Sequence, residues 1–170
     1  MEEPRQRGKV LLLMRHAKSS WADSTLADFE RPLNGRGKQD APRMGELLRK
    51  RELLPDLIIT SEARRARDTT TRVVEASGYE GEVRSTRELY EAEPEDFLEV
   101  LHAVPDSCAR VMLVAHNPGL ELFLELLTGI AEALPTGALA AIQLPVTSWK
   151  ELHEGVRGKL LGLWSPKTLL

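Results

Sequence analysis

Two histidines each follow a short apolar run, and their chemistry is the first indication of function. His16, preceded by Arg15, follows the run Val10–Met14, and His116 follows the run Val111–Ala115. A neutral imidazole is a good nucleophile toward phosphorus, and an arginine guanidinium can bind two phosphate oxygens at once. The Arg15-His16 pair therefore suggests phosphoryl transfer with His16 as the nucleophile; an ordinary exposed Arg-His dipeptide is the alternative.

Arg65 is a third candidate, because it lies in the first turn of a helix predicted to follow the apolar run Leu57–Thr60. The free N–H groups at the start of a helix attract anions, so Arg65 could lean over a bound phosphate. The alternative is a solvated arginine cluster balanced by the nearby acids Glu62 and Asp68.

His116 is followed by Asn117-Pro118-Gly119, a turn sequence that would aim its ring rigidly. From there it could donate a hydrogen bond to a phosphate oxygen that gains charge during transfer. The alternative is a strand-end histidine bonded to the backbone. His16, Arg65 and His116 all follow predicted strands closely, at the carboxyl ends where open α/β sheets bind ligands.

The hydrophobic pattern predicts the elements that would position these residues. Continuous apolar runs of four to eight residues are typical of strands covered on both faces, as in a parallel sheet between helices. The alternation of such runs with amphipathic stretches predicts an α/β sandwich. The predicted strands are 10–14, 57–60, a weak edge strand at 81–84, 111–115, 137–144 and 159–164, with 146–152 between the last two. The predicted helices cover about 38–50, 62–76, 94–104 and 119–127.

Local sequence features refine this prediction. The polar stretch 18–32 is interpreted as an active-site loop, and 33–37 (Leu-Asn-Gly-Arg-Gly) as a turn before the first helix, with Pro42 near its start. Ser61 is a candidate N-cap for the second helix, and Ser77-Gly78 its expected end.

Composition limits the function classes. The chain has 170 residues, 42% hydrophobic and 29% charged, with a net charge of −3, so neither a bulk basic surface nor a nucleic-acid partner is expected. The one cysteine, Cys108, rules out an internal disulfide. The charged segment before Val10 is unlike a signal peptide, and no apolar stretch approaches the ~20 residues that span a bilayer. We expect a soluble, cytoplasmic protein without a membrane partner; the oligomeric state stays open.

The order and spacing of these motifs resemble the histidine phosphatase superfamily, also called phosphoglycerate-mutase-like. The similarity runs from about Val10 to the C-terminus. The short length, the Lys18-Ser19-Ser20-Trp21 sequence and the His-Asn-Pro-Gly segment resemble its SixA-type phosphohistidine phosphatases. The residues that carry the resemblance are Arg15-His16-Ala17, 33–37, Ser61, Arg65-Ala66, Thr69 and His116-Asn117-Pro118-Gly119.

The resemblance implies a fold and a set of roles. The fold would be a three-layer α/β/α sandwich with a mostly parallel sheet, in one domain over residues 1–170. His16 matches the family nucleophile, and Arg15 and Arg65 match its phosphate-binding arginines. His116 matches the histidine that stabilises the transferring phosphoryl group, and Ser19 the small polar residue near the phosphate. The family needs no metal or other cofactor, and none is expected here.

The chain departs from the family pattern at three places. Ala17 replaces a usual glycine, and Ala22 stands where mutase-type members often carry a phosphate-binding asparagine. The family's usual proton donor is a glutamate, for which Glu88 and Glu91 are both candidates, unless both are simple surface carboxylates. An alkoxide leaving group needs such an acid more than a phosphohistidine imidazole does.

Three functions remain in competition. The first is a metal-independent phosphatase acting through phospho-His16, on a phosphohistidine protein or on a small phosphate ester. The second is a phosphoglycerate mutase, which Ala22 and the missing glutamate motif disfavour. The third is an inert phosphate-binding module on the same fold. If His16 is the nucleophile, we expect activity to fall at acidic pH as it protonates, and a flat profile between pH 5 and 8 to argue against it.

Overall fold

A computed structural model describes residues 8–169 of the chain, which form six strands and four helices. Residues 1–7, most of the charged segment judged unlike a signal peptide, lie outside the described residues. The strands are β1 (Lys9–Arg15), β2 (Leu57–Ser61), β3 (Glu82–Thr86), β4 (Arg110–Ala115), β5 (Leu139–Leu144) and β6 (Lys159–Trp164). The helices are α1 (Gly35–Lys50), α2 (Arg64–Ser77), α3 (Pro94–His102) and α4 (Gly119–Thr128).

The six strands form one sheet in the order β3-β2-β4-β1-β5-β6. β1, β2, β3 and β4 are mutually parallel, and β5 runs antiparallel to both of its neighbours, β1 and β6. This confirms the predicted mostly parallel sheet. Because β2, β4 and β1 are adjacent and parallel, their carboxyl ends meet at one edge.

Helices cover both faces of the sheet, which explains the uninterrupted apolar run in β1. Successive strand side chains point to opposite faces. Leu11 and Leu13 pack with the side chains of α3 and α4, whereas Leu12 and Met14 pack with those of α1 and α2. All four of these side chains are buried, as a three-layer sandwich requires. The predicted fold class is therefore confirmed.

The first helix begins a turn earlier than predicted. Asn34 is its N-cap, and the Asn34 side chain accepts a hydrogen bond of 2.8 Å from the backbone N–H of Gly37. The segment interpreted as a turn is therefore largely the first turn of α1, and Pro42 lies in the helix interior. Gly37 belongs there because a Cβ would overlap the carbonyl oxygen of Lys18, so the helix start packs directly on the predicted active-site loop.

The proposed helix cap at Ser61 is wrong. Ser61 is the last residue of β2, and α2 begins at Arg64 after Ala63. The Ser61 hydroxyl accepts a hydrogen bond of 3.1 Å from the N–H of Ala63, which supports the bend between strand and helix. Because a hydroxyl can also donate, the same group can bond a second partner at the sheet edge. The predicted end of α2 is confirmed, since Gly78 follows with a left-handed backbone.

The weaker predictions for the remaining elements are also confirmed in outline. The strand predicted at 81–84 is present as the exposed edge strand β3, and 146–152 forms an irregular connection with one short 3₁₀ turn between β5 and β6. Among the described residues, none of the helices is both long and apolar enough to cross a membrane.

Candidate functional site

Two histidine rings meet at the carboxyl edge of the sheet, as the sequence predicts. β1 and β4 are paired in register, so that Arg15 lies opposite Ala115, and His16 and His116 follow directly. Their ring centroids are 5.1 Å apart. Both residues are buried, with only 5% and 8% of their surface exposed. The two imidazoles therefore share one recess.

Hydrogen bonds fix the proton position on His16. Its Nδ1 lies 2.8 Å from the carbonyl oxygen of Ala17, and because a carbonyl can only accept, Nδ1 carries the proton. The guanidinium Nε of Arg65 donates to the other ring nitrogen, Nε2, across 3.4 Å. Nε2 is therefore the nitrogen with a free electron pair, and it faces a cation.

Burial keeps both histidines neutral. The pKa of His16 is lowered to about 3, chiefly by burial; the Ala17 hydrogen bond acts to raise it, and His116, Arg65 and Arg15 lower it further. Burial, then the charge of Arg65, lowers the pKa of His116 to about 4. The electron pair of His16 is thus available throughout pH 5–8. The expected fall in activity from protonation of His16 therefore moves below pH 5, and a flat profile between pH 5 and 8 does not argue against this nucleophile.

Arg65 is held by a residue that the sequence did not single out. Its Nη1 donates to the backbone carbonyl of Asp28 at 2.7 Å, and its Nη2 donates to the Asp28 carboxylate at 3.0 Å. With Nε directed at His16, the guanidinium is fixed on three sides and only 7% of the residue is exposed. Arg65 is therefore oriented before any ligand arrives, and is not part of a solvated arginine cluster.

The Asp28 carboxylate connects several residues of the site. Oδ2 also accepts from the Tyr90 hydroxyl at 2.6 Å, and Oδ1 accepts from Nε of Arg31 at 3.2 Å. Burial acts to raise the pKa of Asp28, but the hydrogen bonds from Tyr90 and Arg65 and the charge of Arg65 prevail and lower it to about 2. Asp28 is in the predicted active-site loop, but no spacing or repeat distinguishes it there from Asp23.

Arg31 organises the rest of that loop. Its Nη1 donates to the Ser19 hydroxyl at 2.8 Å and to the Ser20 carbonyl at 3.1 Å. Its guanidinium carbon lies 3.5 Å from the ring centroid of Trp21, whose side chain is otherwise exposed. Ser19, a predicted substrate contact, therefore lies at the recess with its hydroxyl held by a buried arginine.

Thr69 ties the first strand to the second helix. Its hydroxyl donates to the carbonyl of Arg65 at 2.7 Å and accepts from the N–H of Ala17 at 2.9 Å. The residue after His16 is thus joined to the backbone that carries Arg65. Ala17 is fully buried at this junction.

Arg15 lines the same recess as His16, Arg65 and His116. Its Nη1 donates to the carbonyl of Leu134 at 3.1 Å, and its Nε has no hydrogen-bond partner in the part of the chain that the structure describes. Glu121 fixes the Leu134 loop by accepting from the Leu134 N–H at 2.7 Å and from the Asn117 amide at 3.0 Å. The anchored Leu134 carbonyl therefore positions the Arg15 guanidinium, and the Nε–H remains without a partner among the described residues.

His116 is oriented by the Ser61 hydroxyl, which also accepts from the Ala63 N–H. Its Nε2 lies 2.8 Å from Ser61 Oγ, and the Tyr90 ring packs edge-on at a centroid distance of 5.5 Å. The other ring nitrogen, Nδ1, is buried without a hydrogen-bond partner among residues 8–169. His116 is thus bonded to a side chain and not to the backbone as its alternative interpretation required.

These residues line two adjoining cavities. The inner pocket has a volume of about 220 Å³ and is lined by Arg15, His16, Ser19, Arg31, Arg65 and His116, among others. The larger cavity measures about 670 Å³, and its lining includes Asp28, Glu91, Glu93 and Glu95; we call it the acidic chamber. Arg65, His116 and Asn117 belong to the walls of both cavities. A phosphate-sized anion fits the inner pocket, where three guanidinium groups converge.

The two candidate glutamates lie in different places. Glu91 lines the acidic chamber, whereas Glu88 is an exposed residue of the 3₁₀ turn Arg87–Leu89 and lines neither cavity. Within residues 8–169, no group of three or more histidine, cysteine or acidic side chains is arranged to hold a metal ion.

Comparison with known proteins identifies relatives of this site. Residues 11–99 match the family model described as histidine phosphatase superfamily (branch 1). An uncharacterized chloroplastic protein of Arabidopsis thaliana is 33% identical over 169 residues, covering 92% of this chain and 77% of the relative.

Solved structures agree with this family match. A crystal structure from Agrobacterium tumefaciens, provisionally assigned as the phosphohistidine phosphatase SixA, superposes with a TM-score of 0.80. It is 31% identical, over 93% of this chain and 98% of its own. The protein histidine phosphatase SixA bound to tungstate shares the fold, with a TM-score of 0.80 and 20% identity over 95% of this chain and 99% of its own.

Proposed function

This chain belongs to the histidine phosphatase superfamily and is a histidine-nucleophile phosphatase. On that premise we propose that it hydrolyses phosphohistidine in protein substrates, with His16 as the nucleophile. The observation that carries the proposal is the orientation of His16. Its Nδ1 proton is engaged by Ala17, which leaves the Nε2 electron pair toward Arg65. An unprotonated Nε2 in a pocket that a phosphate fits, beside the guanidinium of Arg65, is what nucleophilic attack on phosphorus requires.

In the first step, Nε2 of His16 forms a bond to phosphorus and the bond from phosphorus to the leaving group breaks. The electron pair of that bond goes to the leaving nitrogen or oxygen, which then takes up a proton. In the second step, water attacks phospho-His16, inorganic phosphate leaves, and the electron pair returns to Nε2. The enzyme ends each cycle unchanged.

Arg15 and Arg65 bind and neutralise the phosphoryl oxygens. Arg65 is pre-oriented by Asp28, and Arg15 by the Leu134 carbonyl, so little reorganisation accompanies binding. Ser19 adds a hydroxyl to the same pocket. Since arginine charge stabilises the transferring group here, the mechanism runs without a metal ion.

His116 acts on the transferring group from the other side. It is neutral in the free protein, with a pKa near 4, but a bound phosphate dianion favours its protonated form. A protonated His116 would donate to a phosphoryl oxygen as negative charge gathers on it.

Glu91 is the better placed of the two proton-donor candidates. It lines the acidic chamber beside the inner pocket, and its backbone is held in the left-handed region at φ 59°, which is uncommon for a residue with a side chain. An ester substrate would need this acid, whereas a phosphohistidine imidazole is a better leaving group. Because Glu91 lines the chamber and Glu88 lines neither cavity, we assign Glu91 as the proton donor.

A small phosphate ester is the second candidate substrate. The acidic chamber has the volume of a small-molecule site, so it could hold the leaving group of such an ester. A phosphoglycerate mutase and an inert phosphate-binding module are the remaining alternatives. We also propose that residues 1–170 form a single domain that works in the cytoplasm.

Activity of wild type and His16→Ala tests the proposal, with His153→Ala as the control because His153 is exposed and lines neither cavity. The substrates are a phosphohistidine-bearing protein, p-nitrophenyl phosphate and the two phosphoglycerates. His16-dependent release of phosphate from the protein supports the proposal. His16-dependent turnover of the ester alone favours the second candidate, and transfer between phosphoglycerates favours a mutase. No turnover of any substrate favours the inert module, and full activity of His16→Ala refutes the mechanism.

A further inference from the structure

The acidic chamber differs in charge from the inner pocket that it adjoins. Its acidic lining residues are Asp28, Glu91, Glu93 and Glu95, and its basic ones are the shared Arg65 and His116. The phosphoryl group is drawn toward guanidinium groups on one side of His116. Because Arg65, His116 and Asn117 belong to both walls, a molecule that carries this group can extend from the inner pocket into a space lined by carboxylates.

Three of these carboxyl groups have no basic partner. Asp28 is neutralised by Arg65 and Arg31, but within residues 8–169 no lysine or arginine lies within 4.0 Å of the carboxylates of Glu91, Glu93 or Glu95. The shared wall also holds the buried, unpartnered Nδ1 of His116, which is 8% exposed as a residue. The chamber therefore presents carboxyl groups without basic partners to its occupant.

Apolar side chains form another part of the chamber wall and suit the stem of a long side chain. Pro94, Pro118 and Leu122 contribute to it, and Leu122 is 50% exposed. Lysine and arginine bury their methylene stems along apolar surface while their charged ends reach acidic groups. A small anionic metabolite, in contrast, would bring its carboxylate against Glu91, Glu93 and Glu95.

The acidic character continues along α4. A neighbouring cavity of about 320 Å³ shares Pro118 and Leu122 with the chamber and is further lined by Glu121, Glu125 and Glu132. Of these, Glu121 is occupied by the Leu134 N–H and the Asn117 amide. A peptide that leaves the inner pocket through the chamber would thus meet more carboxylates.

We propose that the acidic chamber selects a cationic segment of the substrate protein, with lysine or arginine side chains flanking the phosphorylated residue. This inference rests on the proposed function, because it assumes that the inner pocket holds the phosphoryl group. It adds a specificity rule: the enzyme prefers phosphate groups in basic sequence surroundings and discriminates against anionic leaving groups.

Peptides of equal length test the rule directly. They carry a non-hydrolysable phosphohistidine analogue flanked by lysine, glutamine or glutamate, and their Kd values are measured by calorimetry. We expect the lysine peptide to bind about tenfold more tightly than the glutamate peptide at low ionic strength, with a smaller ratio in high salt. Equal Kd values for the two would overturn the inference.

The variant Glu93→Gln/Glu95→Gln assigns the preference to the chamber. We expect it to reduce the lysine-to-glutamate ratio to about threefold or less, while the inhibition constant of inorganic phosphate, which needs only the inner pocket, stays at the wild-type value. Glu99→Gln is the matched control, because Glu99 is exposed on the same helix but does not line the chamber. An unchanged ratio in the double variant would overturn the inference.

The two proposals fail in distinguishable ways. Turnover of p-nitrophenyl phosphate that is independent of His16 refutes the proposed nucleophile and leaves the peptide Kd series interpretable, since binding needs no turnover. A charge-independent Kd series combined with His16-dependent turnover refutes the specificity rule alone.

Discussion

Asp28→Asn removes the charge that holds Arg65 and leaves the shape of the side chain. The carboxylate accepts Arg65 and Tyr90 on one oxygen and Arg31 on the other. Asparagine has one oxygen and one NH₂ group, so at least one of these donors must face another donor. The substitution therefore loosens either Arg65 or the Arg31 loop.

The expected loss of activity is about tenfold. A hydrogen bond to a charged group contributes about 1.5–3 kcal/mol, and the 47% exposure of the Asp28 side chain places the loss near or below the lower limit. A loss of about 1.4 kcal/mol corresponds to a tenfold fall in kcat/KM. Because Arg65 binds the phosphoryl oxygens, the inhibition constant for inorganic phosphate should rise in parallel.

Steady-state kinetics with p-nitrophenyl phosphate and inhibition by phosphate measure both effects. Asp23→Asn is the matched control, because Asp23 is an exposed carboxylate in the same loop whose side chain bonds only to Thr25. Tyr90→Phe removes one of the donors to Asp28 and should cost about threefold or less. A purely structural role would lower the Tm of Asp28→Asn and leave phosphate inhibition unchanged. That result would refute the positioning argument.

Three further predictions concern pH, packing and metals. The folded pKa of His16 is about 3, below the ordinary 6.5, so between these values the unfolded chain binds a proton that the folded protein does not. His16 alone should therefore lower the stability by about 1.4 kcal/mol per pH unit from 6.5 toward 3, and His116, with a pKa of about 4, should add a similar slope. His16→Asn should remove the first contribution in thermal melts. Melts that are identical in slope for wild type and variant would contradict this. Gly119→Ala should lower the free energy of unfolding by about 1–3 kcal/mol, because its Cβ would overlap the Ala92 carbonyl oxygen. Gly35→Ala, whose Cβ would have no atom within 4 Å, should leave it unchanged. Equal denaturation midpoints for the two variants would count against the packing argument. Dialysis against EDTA should leave kcat/KM unchanged, and loss of activity restored by a divalent cation would disprove metal independence.

The hydrophobic pattern predicted most of the fold because both faces of the sheet are covered. Runs such as Val10–Met14 are apolar throughout, and few other structures accommodate them at that length. The errors lie at element starts, where short-range signals compete. Asn34-Gly35-Arg36-Gly37 has turn composition, yet Asn34 is a helix cap and Gly37 is required by contact with Lys18. That contact joins residues distant in sequence, so a local pattern cannot reveal it.

The candidate site was predictable where strands end and unpredictable where loops fold back. His16, Arg65 and His116 were indicated by their positions after apolar runs, and the structure brings them together. Asp28 and Tyr90 were missed, because their roles depend on a contact between segments 62 residues apart. Glu88 and Glu91 were equivalent in sequence, and only the three-dimensional arrangement separates an exposed turn residue from one that lines the chamber.

The phosphorylated intermediate tests the central claim most directly. The enzyme is mixed with substrate and quenched at alkaline pH, where phosphohistidine survives, and the modified nitrogen is determined by mass spectrometry and phosphorus NMR. Since Nδ1 of His16 donates to the Ala17 carbonyl, we predict phosphate on Nε2 of His16 and none in His16→Ala. Phosphate on Nδ1, on His116 or on any other residue, or turnover without a phosphorylated enzyme, would contradict the account.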